Sequence, residues 1–142
     1  MKTYELLAPE PDAASKEFFE GCAKGELRLL RCQRCGLWSW PVASICNECN
    51  SFDLAWTVAA GRGAVYSWSI VHKAFTPRFA DATPYIVALV DLIEGLRITT
   101  TIDDVPSGGL KAGLAVHAEF RRTNNVSVPV FVPDLRELGL AS

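Results

Sequence analysis

Four of the five cysteines fall in a pattern with its own chemistry. Cys32 and Cys35, then Cys46 and Cys49, form C-x2-C, ten intervening residues, and C-x2-C again. Two residues between paired thiolates let both sulfurs reach one ion from a tight turn. Two such turns complete a tetrahedron, the geometry that zinc prefers with four thiolates. Each turn needs a residue that tolerates positive φ just past its second cysteine. Gly36 and Asn50 stand there, and Gly and Asn tolerate that conformation best. In a reducing compartment such spacing points to a metal rather than to disulfides. A single iron in a rubredoxin-like site would use the same four sulfurs, and ligand type does not separate the two metals. Four protein ligands leave no open coordination position, so the expected ion is structural, one Zn2+ per chain.

Few other residues offer chemistry. Cys22 lies four residues after Phe18, on one face of a short helical segment, and reads as a buried small hydrophobe. A nucleophile would need a base, and only His72 and His117 are available. Each is read as a packed or rim histidine. Gly61-Arg62-Gly63 lacks the third glycine and the following helix of a phosphate-cradling loop. No catalytic set is expected. In the long loop after the first barrel strand, Lys73 and Arg78 flank Phe75 and Phe79, combining cations with apolar surface. That combination suits a phosphate-rich ligand with an apolar portion, or a partner surface.

Positioning the cysteines takes a small, mainly β framework. Ser15–Lys24 reads as a helix, with Asp12 as its cap and Gly25 as its stop. Glu26–Arg31 enters the first knuckle as a strand, Trp38–Pro41 crosses between the knuckles, and Phe52–Val58 leaves them. Val65–His72 is expected as a strand with Tyr66, Trp68, Ile70 and His72 on one side and Val65, Ser67, Ser69 and Val71 on the other. Tyr85–Leu92 and Leu96–Ile102 form a hairpin around Glu94-Gly95, and Leu114–Arg121 and Val126–Val132 supply the last strands. Five short strands with no long helix between them imply a closed five-stranded barrel, the OB-fold. The expected organisation is an N-terminal helical segment at 1–25, a zinc ribbon at 26–60, an OB-fold at 61–133 and a tail at 134–142.

Composition bounds the rest. The 142 residues carry a formal charge of −2 and are 49% hydrophobic, which marks a globular chain rather than a phosphate-gripping one. The longest plain apolar run, Tyr85–Val90, is far short of the roughly 20 residues of a spanning helix, so no membrane association is expected. Met1–Glu10 lack the long apolar stretch of a secretory signal. The expected compartment is the cytoplasm. Mean hydropathy is +0.15, high for a small domain, so either the core is unusually rich in Val and Ile or apolar surface remains for a partner. Trp38, Trp40 and the Val126–Val132 strand are candidate contacts, with core packing as the competing reading. A nucleic-acid-binding role is the alternative function. It draws on Lys24, Arg28, Arg31 and Arg34, although bases near a four-thiolate ion would also offset its charge of −2.

Taken together, Phe18-Phe19, Gly25-Glu26-Leu27, Arg31-Cys32-Gln33-Arg34-Cys35-Gly36, Trp40-Pro41 and Cys46-Asn47-Glu48-Cys49 resemble the DUF35 family. Gly61–Ser67, Pro84–Val90, Glu94-Gly95 and Leu110–Gly113 continue the resemblance, which runs from about Ala14 to Pro133. Val42, Ala43 and Asn50 depart from the family pattern. The resemblance implies a zinc-ribbon plus OB-fold accessory subunit of a thiolase-like enzyme: a thiolase, an acyltransferase or a steroid side-chain aldolase. It also implies that the partner holds the catalytic residues while this chain helps to accommodate an acyl-CoA.

Overall fold

The computed structural model describes residues 8–123 and 125–135. Residues 1–7, 124 and 136–142 lie outside it, and with them the opening of the expected N-terminal segment and most of the expected tail.

The chain enters through helix α1, Lys16–Ala23. The Asp12 carboxylate accepts hydrogen bonds from the Ser15 amide (2.8 Å) and hydroxyl (2.7 Å), closing the turn that leads into the helix. Gly25, at φ 76°, ends it. There the Glu26 amide donates to the Gly21 carbonyl and the Gly25 amide to that of Cys22, the paired bonds of a left-handed helix stop. The buried face carries Phe18, Gly21 and Cys22. Gly21 is required by contact, since a side chain there would strike the stem of Arg28 and the Glu26 carbonyl. Arg28 crosses the helix at that point and pairs with Glu17 (2.9 Å) and Glu26 (3.5 Å).

Three strands follow: β1 (Leu27–Cys32), β2 (Trp38–Ser39) and β3 (Leu54–Ala59). They form an antiparallel sheet in the order β2-β1-β3, with Leu30 opposite Ser39 and Leu27 opposite Ala59. Five more strands close a barrel: β4 (Arg62–Val71), β5 (Tyr85–Leu92), β6 (Arg97–Ile102), β7 (Ala115–Thr123) and β8 (Val126–Pro133). The order is β4-β5-β6-β8-β7, returning to β4. Among the described residues, the only parallel contact joins β6 to β8 at Ile102 and Phe131. This is a mainly β chain with one described α-helix, a four-cysteine unit and an OB-type barrel, the fold class the sequence implies.

Sheet and barrel are joined tightly. Only Ala60 and Gly61 separate β3 from β4. The Ala60 amide donates to the Glu94 carboxylate (2.7 Å) and the Gly61 carbonyl accepts from Ala118 (2.7 Å). Helix α1 packs against β1 on one side and β7 and β8 on the other. One apolar cluster therefore runs from Phe18, Cys22 and Leu29 through Ala59 to Val90, Val116 and Phe131.

Of the two readings of Trp38, Trp40 and β8, core packing is the one seen for the partly buried tryptophans and for buried Val130, Phe131 and Val132, while Val126–Pro129 are half-buried. One expectation changes: the strict alternation expected along β4 is broken by a bulge between Val65 and Ser67. A bulge inserts one residue and exchanges the faces beyond it. Val65 points into the barrel, and after the extra residue Trp68 pairs with buried Ala88. Tyr66 is left outside, where the Arg97 guanidinium sits 3.5 Å from its ring centre while bonded to Asp91 (2.6 and 3.1 Å).

Gly63 tests this packing. A Cβ there would land on the Asp91 carbonyl of β5 and on Val90. Gly63→Ala is expected to cost about 1–3 kcal/mol by overpacking. Gly25→Ala meets open space and is expected to lose only about 1 kcal/mol, through its left-handed backbone. Urea unfolding of both variants checks the difference.

Candidate metal centre

The two knuckles are copies of one backbone plan. The Cys32 amide donates to the Leu37 carbonyl (2.8 Å) and the Cys46 amide to that of Ser51 (2.9 Å). The Gly36 amide donates to the Cys32 carbonyl (2.9 Å) and the Asn50 amide to that of Cys46 (3.0 Å). Gly36 at φ 81° and Asn50 at φ 60° occupy the positions where the spacing requires a left-handed residue. β1 delivers the first knuckle, and β3 leads away from the second.

These turns bring Cys32, Cys35, Cys46 and Cys49 together, all four sulfurs lying within 4.8 Å of one another. Cys32 Sγ is 3.6 Å from Cys49 Sγ, and Cys35 Sγ is 3.5 Å from Cys46 Sγ. A tetrahedral zinc at its usual bond length sets thiolates ~3.8 Å apart, so the spacing fits such an ion. Protonation points the same way. The Cys35 amide, with help from that of Arg34, holds the Cys32 thiol down at about 6. The amides of Cys49 and Glu48 lower Cys46 in the same manner. Against the pull of the Leu37 amide, desolvation and the three neighbouring sulfurs push Cys35 up to about 12. Four thiols at this distance shed their protons together only around a cation.

The remaining candidates lie elsewhere. Cys22 is 2% exposed, and burial pushes its thiol up to about 12; it is a core residue. His117 sits half-buried 3.6 Å from Glu119, and His72 is exposed beyond the end of β4. Lys73, Phe75 and Arg78 are exposed in the β4–β5 connection, Phe75 at 89%. Phe79 turns back on Tyr85, ring centres 6.1 Å apart. The basic run is partly engaged internally. Arg28 holds its two glutamates, and Arg31 covers Trp38 (5.3 Å) and donates to the Gly36 carbonyl (3.2 Å). Periodicity cannot single out the apolar residues exposed around the knuckles, Leu37, Ile45 and Phe52, because turns have no period. No described helix is long and apolar enough to cross a membrane.

Residues 56–121 match a family model described as ChsH2, C-terminal OB-fold domain. Among solved structures, the chain described as "Ltp2-ChsH2(DUF35) aldolase" superposes with a TM-score of 0.76 at 32% identity, covering 88% of this chain and 98% of that one. The chain belongs to the DUF35 family. Two curated relatives place other members within larger systems. A Thermomonospora curvata protein described as "Probable enoyl-CoA hydratase alpha subunit" is 33% identical over 133 residues, 91% of this chain. The benzoylsuccinyl-CoA thiolase subunit BbsA of Thauera aromatica is 31% identical over 80 residues, 56% of this chain. The chain spans 41% and 54% of the lengths of these two relatives. DUF35 relatives of this chain are thus subunits of thiolase or aldolase enzymes, and other relatives bear hydratase names.

Zinc analysis of the purified protein is expected to return one equivalent per chain, and Cys46→Ser to lose it. Cys22→Ala is expected to keep the metal and change a pH limb. The Cys22 thiol lies higher in the folded chain than its ordinary 9.0, so the stability gained from its neutral form is complete below about 9. It falls as pH rises from there toward 12. Removing the thiol should flatten that decline in stability measured against pH.

Proposed function

We propose that this DUF35 chain is a non-catalytic, zinc-binding accessory subunit that associates with a thiolase-fold enzyme in the cytoplasm and helps to accommodate an acyl-CoA substrate. The observation that carries the reading is the match to the DUF35 chain of an aldolase over 98% of that chain's length, with a TM-score of 0.76. The chemistry of the chain supports it. Four cysteines converge on one closed site, and the fifth is buried with its thiol held protonated, which leaves no thiolate free for acyl transfer. Residues 26–60 act as the ribbon and 61–133 as the OB unit.

The β4–β5 connection is the proposed ligand or partner contact. Lys73 and Arg78 supply exposed cations beside the exposed ring of Phe75, which suits a ligand carrying both phosphates and an apolar chain. Phe79, folded onto Tyr85, braces the loop from behind. The match to a hydratase alpha subunit favours a second reading, in which the enzyme served is an acyl-CoA hydratase.

Gentle isolation from native cells, followed by mass spectrometry, is expected to recover a thiolase-like polypeptide in stoichiometric amount. A hydratase-fold polypeptide would select the second reading. RNA in the fraction, bound in a steeply salt-dependent way, would overturn both, as would brisk thioester turnover by the isolated chain. Charge reversal in Lys73→Glu/Arg78→Glu is expected to weaken complex formation or acyl-CoA affinity about tenfold or more. Unchanged values for both would remove the loop from the contact.

A further inference from the structure

β4 is longer than the part of the barrel that covers it. Arg62–Ala64 pair with β7, and Val65 exchanges backbone bonds with Leu114 (2.9 Å) and Gly113 (2.7 Å). From there to Val71 the strand is paired with β5 alone. An antiparallel strand directs its donors and acceptors alternately to its two sides. Along Tyr66–Val71 the second side therefore presents main-chain groups that no described residue pairs with. At about 3.3 Å per residue, the open edge is ~20 Å long.

Among the described residues, the usual protections of an edge are missing along it. Strand edges are ordinarily blunted by charge, proline, a bulge or a covering element. Tyr66-Ser67-Trp68-Ser69-Ile70-Val71 holds no charged residue and no proline. The bulge lies at the point where the edge opens, leaving the stretch beyond it regular. Tyr66, Trp68 and Ile70 are 52%, 39% and 43% exposed. A run of this length, β-prone and without charge, is suited to receive another strand.

We propose that this edge receives an extended segment of the enzyme to which the chain is an accessory, added beside β4 by main-chain hydrogen bonds. The inference rests on the accessory-subunit reading and specifies how the partner is held. The surroundings define the segment. Gly113 and Leu114 stop it at Val65, so it spans about six residues. Its other end emerges beside exposed His72, Lys73 and Arg78, which calls for acidic residues there and apolar ones at alternate positions before them. A second copy of this chain suits the edge less well. Two-fold pairing of Tyr66 with Val71 would carry exposed Lys73 of each copy past the Val65 end of the other's open edge, toward its exposed Arg62, and like charges across strands repel.

Amide hydrogen exchange, on the isolated chain and on the complex recovered from cells, tests the proposal. Amides on the open side of Tyr66–Val71 are expected to exchange fast in the isolated chain and at least tenfold more slowly in the complex. Ser69→Lys, which places a charge in the edge, is expected to weaken partner binding at least tenfold while leaving zinc content and thermal unfolding unchanged. Normal binding by that variant would overturn the proposal. So would unchanged exchange at these amides in a complex that does contain the enzyme, an outcome that leaves the accessory reading standing. Protection already present in the isolated chain would also overturn it, whether concentration-dependent, through self-pairing, or not, through the chain's own ends. Recovery of no enzyme at all would instead remove the accessory reading beneath it.

Discussion

Four cysteine sulfurs lie within 4.8 Å of one another, a crowding that as thiolates only a shared cation would relieve, and the rest of this molecule follows from that constraint. The sheet of β1, β2 and β3 includes one strand of only two residues and has little surface of its own to bury. Structural zinc in such knuckles contributes roughly 10–16 kcal/mol at neutral pH, as much as the whole stability of a typical domain, about 5–15 kcal/mol. An ion held by Cys32, Cys35, Cys46 and Cys49 would therefore decide whether the knuckles form. Once they do, β1 has a fixed path, and Leu27 and Leu29 are delivered into the cluster that also holds Phe18 and Phe131.

The metal centre was readable because its rules are local. Cysteine spacing, and a Gly or Asn after each pair, are conditions on neighbouring residues, and the two knuckles meet them with matching hydrogen bonds. The barrel was nearly as open to reading: β5 runs from Tyr85 to Leu92, as its apolar pattern implies, and the remaining strands shift by a few residues at their ends. What failed was long-range. The bulge after Val65 depends on how β4 meets β5, and no property of the β4 sequence announces the extra residue. The fate of Trp40 depends on Phe18, 4.7 Å away across the fold but far off along the chain. Phe75 and Phe79 look alike in sequence; only Tyr85 distinguishes them, by giving one ring a place to rest.

The same contrast separates the two surfaces proposed for a partner. The loop of Lys73, Phe75 and Arg78 could be picked out by composition, since cations and a ring stand close together. The edge of β4 could not, because an unpaired main chain has no signature in residue types. Lack of charge in Tyr66–Val71 suits a buried strand equally well, and only the register against β7 shows that the second half of β4 lies uncovered.

The two-residue passage from β3 to β4 has a mechanical consequence. Glu94 grips its first amide and Ala118 its second carbonyl, while α1 leans on both halves. Such a joint has no swivel. A partner that took hold of the knuckles would therefore also set the distance and angle at which the barrel is presented, as one jaw of a caliper sets the other.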